Sequence, residues 1–208
     1  MDDTILTANP AGLCRKTRTL RRVFLFMDWE FVLEVLQVNS SKEVFVEHFR
    51  NQYGNDHPYM PVWVATEIMT FGHVLTMYQG APNSIKKSIA APLGIHDGVL
   101  GSWLLSLNTI RNICAHHSRL WNRKLGTMPM LPNRKNDPRW HDPVAVGNDR
   151  VFGVLTILKY CLDHIAPQSS WTERIMDLLD CYPTIPLKSM GFPSDWKSCP
   201  IWSPKPNI

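Results

Sequence analysis

Residues 97–120 read DGVLGSWLLSLNTIRNICAHHSRL, and this stretch has the clearest helical pattern in the chain. Its apolar residues recur at spacings of three and four, which places them on one face of an α-helix. Polar and cationic residues gather at its C-terminal end, from Arg111 onward. The pattern predicts one helix from about Asp97 to Leu120, with a buried face and a polar end.

Similar spacing predicts further helices over about 40–53, 61–78, 83–91, 149–165 and 171–181. No segment alternates apolar and polar residues between hairpin turns, so β-strands are not expected. The predicted fold class is therefore all-α, a helical bundle.

Two proline-rich stretches interrupt or follow the helices. Residues 126–147 hold four prolines among polar residues and are predicted to form a long surface loop. The Pro- and Trp-rich tail after Pro183 is predicted to wrap the surface. Long loops within compact domains often carry function.

Composition limits the class of protein. The chain has 208 residues, 44% of them hydrophobic, which is enough for one globular domain with a core. Residues 1–38 are predicted to be an atypical N-terminal arm, and residues 39–208 the helical domain. The net charge of +4 is compatible with an anionic partner but does not establish nucleic-acid binding.

Cysteine usage and hydropathy favour a cytoplasmic protein without a membrane span. The five cysteines are widely spaced and include no C-x-x-C pair, which disfavours both a disulfide framework and a zinc site. The apolar run at 23–27 is too short for a membrane span or a signal peptide.

The polar end of the 97–120 helix contains the candidate catalytic residues Arg111, Asn112 and His116. Histidine exchanges protons near neutral pH, and arginine carries a permanent charge on a planar fork that matches phosphate oxygens. Together they suggest cleavage or binding of RNA, with Asn112 orienting a group or bonding the phosphate. On a continuous helix, Arg119 would extend the face that Asn112 and His116 share.

Candidate RNA-binding residues surround this group. Trp121 is suited to stacking on an unpaired base, and cations on either side are suited to a phosphate backbone. Most of the other tryptophans are predicted to be core or tail-anchoring residues, and Trp121 is the exception because basic residues surround it; these others are Trp140, Trp171, Trp196 and Trp202. The alternative for the cationic loops is a solvated surface. Arg134, Lys135 and Arg139 are weighed in the same way. The full set of candidate RNA-binding residues is His117, Arg119, Trp121, Asn122, Arg123 and Lys124.

Structural roles remain open for the same motif. Arg111 would then cap carboxylates of a neighbouring helix, and His116 would be a half-buried histidine with its hydrogen bonds satisfied. Metal binding by His116 and His117 is disfavoured, because adjacent helical residues point about 100° apart. Cys114 does not face His116 on a helix and is predicted to be a small core residue.

The stretch from Leu107 to Arg123, LNTIRNICAHHSRLWNR, resembles the signature of Abi-like proteins, the abortive-infection family of AbiD and AbiF type. The resemblance also takes in Pro61–Val64 with Glu67 and Phe71–Gly72, Ser102–Leu104, and Met190–Pro193 with Asp195 and Trp196. It covers roughly residues 40–202.

This resemblance implies membership of the HEPN superfamily, helical domains whose R-x4-H motif forms a metal-independent RNase site without a cofactor. Arg111 through His116 fits that spacing. Two motifs usually meet in one site, and the chain contains one copy, so the resemblance implies a homodimer. It also implies a toxin-like role in bacterial phage defence, with a target RNA and in some members a small noncoding RNA as partners.

Two other hypotheses compete with the HEPN ribonuclease. One is a noncatalytic RNA-binding defence protein that holds a small noncoding RNA. The other is an inactive, truncated family member, because such proteins commonly begin with a longer helical part that residues 1–38 do not resemble. RNA binding without products would support the first, and loss of cooperative unfolding would support the second.

Overall fold

A computed structural model describes residues 43–57 and 60–203. Within these ranges the chain forms seven α-helices and four short 3₁₀-helices and no strand, which confirms the all-α prediction for this part of the chain. The predicted arm, residues 1–38, lies outside the described residues. The helices are α1 (Val44–Tyr53), α2 (Val62–Ile68), α3 (Phe71–Gly80), α4 (Asn83–Ala90), α5 (Asp97–Ala115), α6 (Val151–Ile165) and α7 (Trp171–Cys181).

The chain divides into two compact units, residues 1–88 and 89–208. In the first unit, Val46 of α1, Met60 and Ala65 of α2 form a buried apolar cluster. The second unit contains α5, α6, α7 and the residues between and after them. No helix in the described ranges is long and apolar enough to cross a membrane.

The single helix predicted over 61–78 is two helices, because Thr70 begins a new one. Its hydroxyl oxygen accepts a hydrogen bond from the backbone N–H of His73 at 3.3 Å. In return, His73 Nδ1 accepts from the Thr70 N–H at 3.1 Å. This reciprocal capping box satisfies backbone donors that a helix start leaves unpaired. The apolar periodicity continues across Thr70, so the sequence pattern does not show that one helix ends and another begins there.

The segment predicted as a surface loop is partly buried, and in that respect the prediction is wrong. Trp140 is fully buried, and its ring lies 5.4 Å from those of Trp103 on α5 and Tyr160 on α6. The loop backbone is attached to α5: Trp103 Nε1 donates to Met130 O at 2.7 Å, and Ser106 Oγ donates to Thr127 O at 2.9 Å. The apolar residues between the prolines therefore complete the core of the second unit.

The C-terminal tail is also part of the core rather than a surface wrap. Three aromatic rings of the tail lie 4.6 to 6.4 Å from the ring of Phe152 on α6. Burying such rings contributes a large apolar area to the core. The Trp202 Nε1–H donates to the buried hydroxyl of Thr156 at 2.9 Å, which satisfies both groups. The three tail residues are Phe192, Trp196 and Trp202.

Candidate functional site

Packing against α5 sets where the candidate site begins. Trp103, Ser106 and Ile110 are buried along one side of the helix. Ile110 is the last of them, and it belongs to an apolar cluster with Leu125 and Val154. Beyond Ile110, Arg111 and the residues that follow lie mostly on the surface. These contacts attach α5 to the core, while Arg111 and Asn112 in its last turn are exposed.

The helix ends at Ala115, so the prediction that it continues to Leu120 is wrong. The His117 N–H donates to Cys114 O, and the Ser118 N–H donates to Ile113 O, both at 3.0 Å. These two bonds form a Schellman motif, which satisfies carbonyls that a helix end leaves free. His117 occupies the left-handed position of this motif, with φ 52°. Glycine usually fills it, which explains why the end is hard to recognise from sequence.

Arg119 consequently lies outside the helix and does not extend the face shared by Asn112 and His116. The two residues that share this face are one helical turn apart: the His116 N–H donates to Asn112 O at 3.0 Å. His116 is the first residue after the helix. The predicted face is therefore limited to the last turn of α5.

Arg111 and His116 are both exposed and available to a ligand. Arg111 Nη1 donates to the neighbouring Asn112 Oδ1 at 3.2 Å. Among the described residues, no carboxylate forms a salt bridge with Arg111 and no group hydrogen-bonds the His116 imidazole. The purely structural interpretation, a capping arginine and a half-buried histidine, is thus not what this part of the structure shows.

The segment after the helix holds the remaining candidates between two apolar anchors. Leu120 is partly buried and Leu125 is buried, both in the cluster around Ile110. The Arg123 N–H donates to Leu120 O at 3.0 Å, which closes a turn between them. Trp121 is 41% exposed, in agreement with its prediction as the tryptophan outside the core. Also exposed are His117, Arg119, Arg123 and Lys124, whereas Asn122 is half-buried.

Two of the other cations considered for RNA contact, Arg139 and Arg134, have acidic partners. Arg139 donates to buried Asp137 through Nε and Nη2, both at 2.8 Å, and lies over the ring of Tyr160. Burial raises the pKa of Asp137, but its hydrogen bonds and the charge of Arg139 outweigh burial and leave the pKa lowered. Arg134 pairs with Asp142 at 3.2 Å. Arg139 is therefore a structural residue.

Comparison with known proteins identifies the family. The family model described as Abi-like protein matches residues 15–122, more than half of the chain. The chain belongs to the Abi-like protein family. Membership indicates a role in abortive-infection phage defence. No curated protein and no solved structure matches the chain.

The candidate catalytic residues lie near the C-terminal end of the range that matches the family model. Arg111, Asn112 and His116 of this Abi-like protein lie inside the matched range, which stops at Asn122. The matched range starts at residue 15, inside the segment 1–38. Arg123, Lys124 and the C-terminal tail lie beyond it.

Cys114 is exposed, so its prediction as a core residue is wrong. It lies in the last turn of α5, beyond Ile110, the last buried residue of that helix. Within the described ranges, no group of three His, Cys, Asp or Glu side chains is arranged to hold a metal ion.

Sequence reasoning missed Arg150, which comes directly before α6. Its Nη1 donates to Asn122 O at 3.2 Å and to Ser189 O at 2.9 Å. Gly191 makes room for this side chain: a Cβ at Gly191 would lie 2.8 Å from Arg150 Cβ. A polar residue before a predicted helix suggests only a cap, so no local signal marks this contact.

Proposed function

We propose that this Abi-like protein is a metal-independent endoribonuclease of the HEPN type that acts in abortive-infection phage defence. The observation that carries the proposal is the exposed pair Arg111, in the last turn of α5, and His116, the first residue after that helix, with Asn112 beside Arg111. Their spacing is that of the R-x4-H motif, and they lie within the residues that match the family.

The chemistry follows from the two side chains. The His116 imidazole accepts the proton of the RNA 2′-hydroxyl, and the 2′-oxygen attacks phosphorus. The bond from phosphorus to the 5′-oxygen breaks as that oxygen gains a proton from the imidazolium of a second His116. The products are a 2′,3′-cyclic phosphate and a 5′-hydroxyl. Positioned acid–base groups of this kind contribute about 10²–10⁴-fold to the rate. The Arg111 guanidinium stabilises charge that builds on the phosphoryl oxygens, and Asn112 orients the arginine or the phosphate.

The proposed active unit is a homodimer. One chain contains one R-x4-H motif, whereas one histidine cannot act as base and as acid from the same position in a single step. A second copy supplies another Arg111 and His116. The mass of the protein in solution, measured by light scattering, tests this part directly.

RNA contact is assigned to the exposed residues after the helix. Trp121 provides an aromatic face for an unpaired base, and Arg119, Arg123 and Lys124 provide charge for the phosphates. The set also includes His117, which is exposed, and Asn122, which is half-buried. Target RNA is expected in the cytoplasm, where we place the protein. The same residues suit the alternative function, a noncatalytic protein that holds a small noncoding RNA.

The deciding experiment is cleavage of total bacterial RNA and tRNAs by the purified protein in the presence of a chelator, with the new ends mapped. The test variants are Arg111→Ala and His116→Ala. Matched controls are Arg174→Ala and His48→Ala, which remove the same residue types from exposed helical positions. Only the first two variants are expected to lose cleavage.

Each outcome separates the hypotheses. Cyclic phosphate ends from the parent, lost in both test variants, support the nuclease. Full cleavage by Arg111→Ala or His116→Ala rejects it. Uncut RNA that binds the protein with strong salt dependence favours the RNA-binding function. Neither cleavage nor binding favours an inactive family member.

A further inference from the structure

Arg150 links two segments that are far apart in the sequence. It is the residue before α6, with an extended backbone (φ −140°, ψ 177°). One nitrogen, Nη1, donates to Asn122 O at 3.2 Å and to Ser189 O at 2.9 Å. Asn122 belongs to the segment that follows α5, and Ser189 to the 3₁₀-helix Leu187–Met190. A single side chain therefore connects the end of the candidate site to the C-terminal tail.

On the tail side of this link, the backbone at Gly191 packs closely against Arg150. Gly191 has φ 89°, a left-handed conformation that favours glycine. A Cβ there would lie 2.8 Å from Arg150 Cβ and 3.3 Å from its Cδ. The next residue, Phe192, is buried with its ring 4.6 Å from that of Phe152. Gly191 thus lets the tail pack directly along the aliphatic stem of Arg150.

The other side of the link is the segment that we assign to RNA. The residue before Arg150 contributes as well, because Asp149 O accepts from the Leu125 N–H at 2.8 Å. The backbone between Leu120 and Leu125 is consequently held at Asn122 by a guanidinium and at Leu125 by a carbonyl. Within the range 120–125, the side chains of Trp121, Arg123 and Lys124 are exposed.

We propose that Arg150 is a positioning residue: it holds the segment Trp121–Lys124 in place beside the last turn of α5, and it does so through Asn122 O rather than by contacting RNA. The assignment of RNA to this segment rests on the proposed function. Preorganisation is the physical basis, since a loop that is already ordered loses less conformational entropy when RNA binds.

The first test is amide hydrogen exchange in the protein without RNA. In Arg150→Gln, the amides of Arg123 and Leu125 are expected to exchange at least about tenfold faster, because a charged hydrogen-bond donor to the loop is lost. Amides in the middle of α5 should keep the parent's rate. Unchanged exchange at Arg123 and Leu125, or faster exchange throughout the chain, would overturn the proposal.

The second test is tRNA binding in the His116→Ala background, in which the probe stays intact. Arg150→Gln is expected to weaken binding by about tenfold with the salt dependence retained, whereas loss of a direct phosphate contact lowers the salt slope by about one. A lowered slope or unchanged affinity would contradict the positioning role. Arg174→Ala is the matched control, because it removes an exposed arginine outside this link.

Gly191→Ala provides an independent perturbation that leaves the charge unchanged. It should displace the Arg150 stem, weaken tRNA binding in the same direction, and add little to Arg150→Gln in the double variant, since both act on one link. If the two substitutions lowered the free energy of tRNA binding additively in the double variant, they would not act on one link. A parent that binds no RNA rejects the proposed function and the RNA role of the segment, while hydrogen exchange still decides whether Arg150 holds the loop.

Discussion

The backbone N–H of Ser118 donates to the carbonyl oxygen of Ile113 at 3.0 Å, and this bond ends the helix that carries Arg111. Its consequence is that His116 stands at the helix end rather than within a continuing helix. The segment from Arg119 onward is then free to turn back and anchor at Leu120 and Leu125. The relative placement of the proposed catalytic and RNA-binding residues depends on this helix end.

His117→Gly is expected to stabilise the protein. His117 has φ 52°, and a non-glycine residue in the left-handed region costs about 1–2 kcal/mol, part of which is offset by the greater freedom of glycine in the unfolded chain. Urea unfolding should show a gain of up to about 1 kcal/mol. His117→Val should lose stability, because a β-branched residue is disfavoured at this conformation. A stabilised His117→Gly that binds RNA more weakly would assign the imidazole to RNA.

Arg111→Lys should fail to restore cleavage although it keeps the charge. A guanidinium presents a planar fork to two phosphoryl oxygens, whereas an ammonium is a point charge on a flexible stem. We expect the cleavage rate to fall by about 10²-fold, with tRNA affinity changed much less. Urea unfolding should match the parent, since Arg111 is exposed and forms no salt bridge with the described residues. Parent-like cleavage by this variant would mean that charge alone is sufficient.

Asp137→Asn should destabilise the protein by about 2 kcal/mol at pH 7, because it removes a buried, charged hydrogen-bond acceptor of Arg139 and Trp140. The pKa of Asp137 is lowered in the folded state, so its contribution is present above the ordinary carboxyl pKa and is lost as pH falls through the lowered one. The difference in the free energy of unfolding between the parent and Asp137→Asn should therefore become smaller as the pH falls from 7 to 3, as measured by urea unfolding.

Asp180→Asn is the matched control for that measurement. Its partner Lys197 lies 3.9 Å away, and both side chains are well exposed. Exposed ion pairs contribute little, so a change below about 1 kcal/mol is expected. If Asp180→Asn lowered the free energy of unfolding as much as Asp137→Asn does, burial of the carboxylate would not explain the loss of stability in Asp137→Asn.

Thiol alkylation should distinguish exposed from buried cysteines. Burial raises the pKa of Cys161 to about 11 and raises that of Cys199, so both remain protonated thiols near pH 8 and should react slowly. Among the four cysteines that the structure describes, Cys114 and Cys181 are exposed and should react first, as measured by mass spectrometry of labelled peptides. Alkylated Cys114 should block RNA cleavage because Cys114 lies three residues after Arg111 on the same helix and so neighbours it on the helix surface. The alkylating reagent should not inhibit RNA cleavage by Cys114→Ser. This control distinguishes modification of Cys114 from modification of another residue.

The sequence predicts some helix boundaries correctly and not others, and each difference has a physical reason. The predicted helices at 83–91, 149–165 and 171–181 agree with α4, α6 and α7 within one or two residues. The break at Thr70 was missed, since the cap partner is a histidine in place of the usual Glu or Gln. The end at Ala115 was missed because His117 takes the position where glycine is expected.

By itself, the sequence determined that α5 is a helix with a buried face, and that Arg111, Asn112 and His116 come at its polar end. Those properties depend on periodicity and spacing, which are local. Only the tertiary structure decided which rings Trp140 and Trp202 pack against, that Arg139 is held by Asp137 over the ring of Tyr160, and that Arg150 joins Asn122 to Ser189. Most of these features depend on contacts between residues distant in sequence, and no local pattern records which distant carbonyl or ring a side chain will meet.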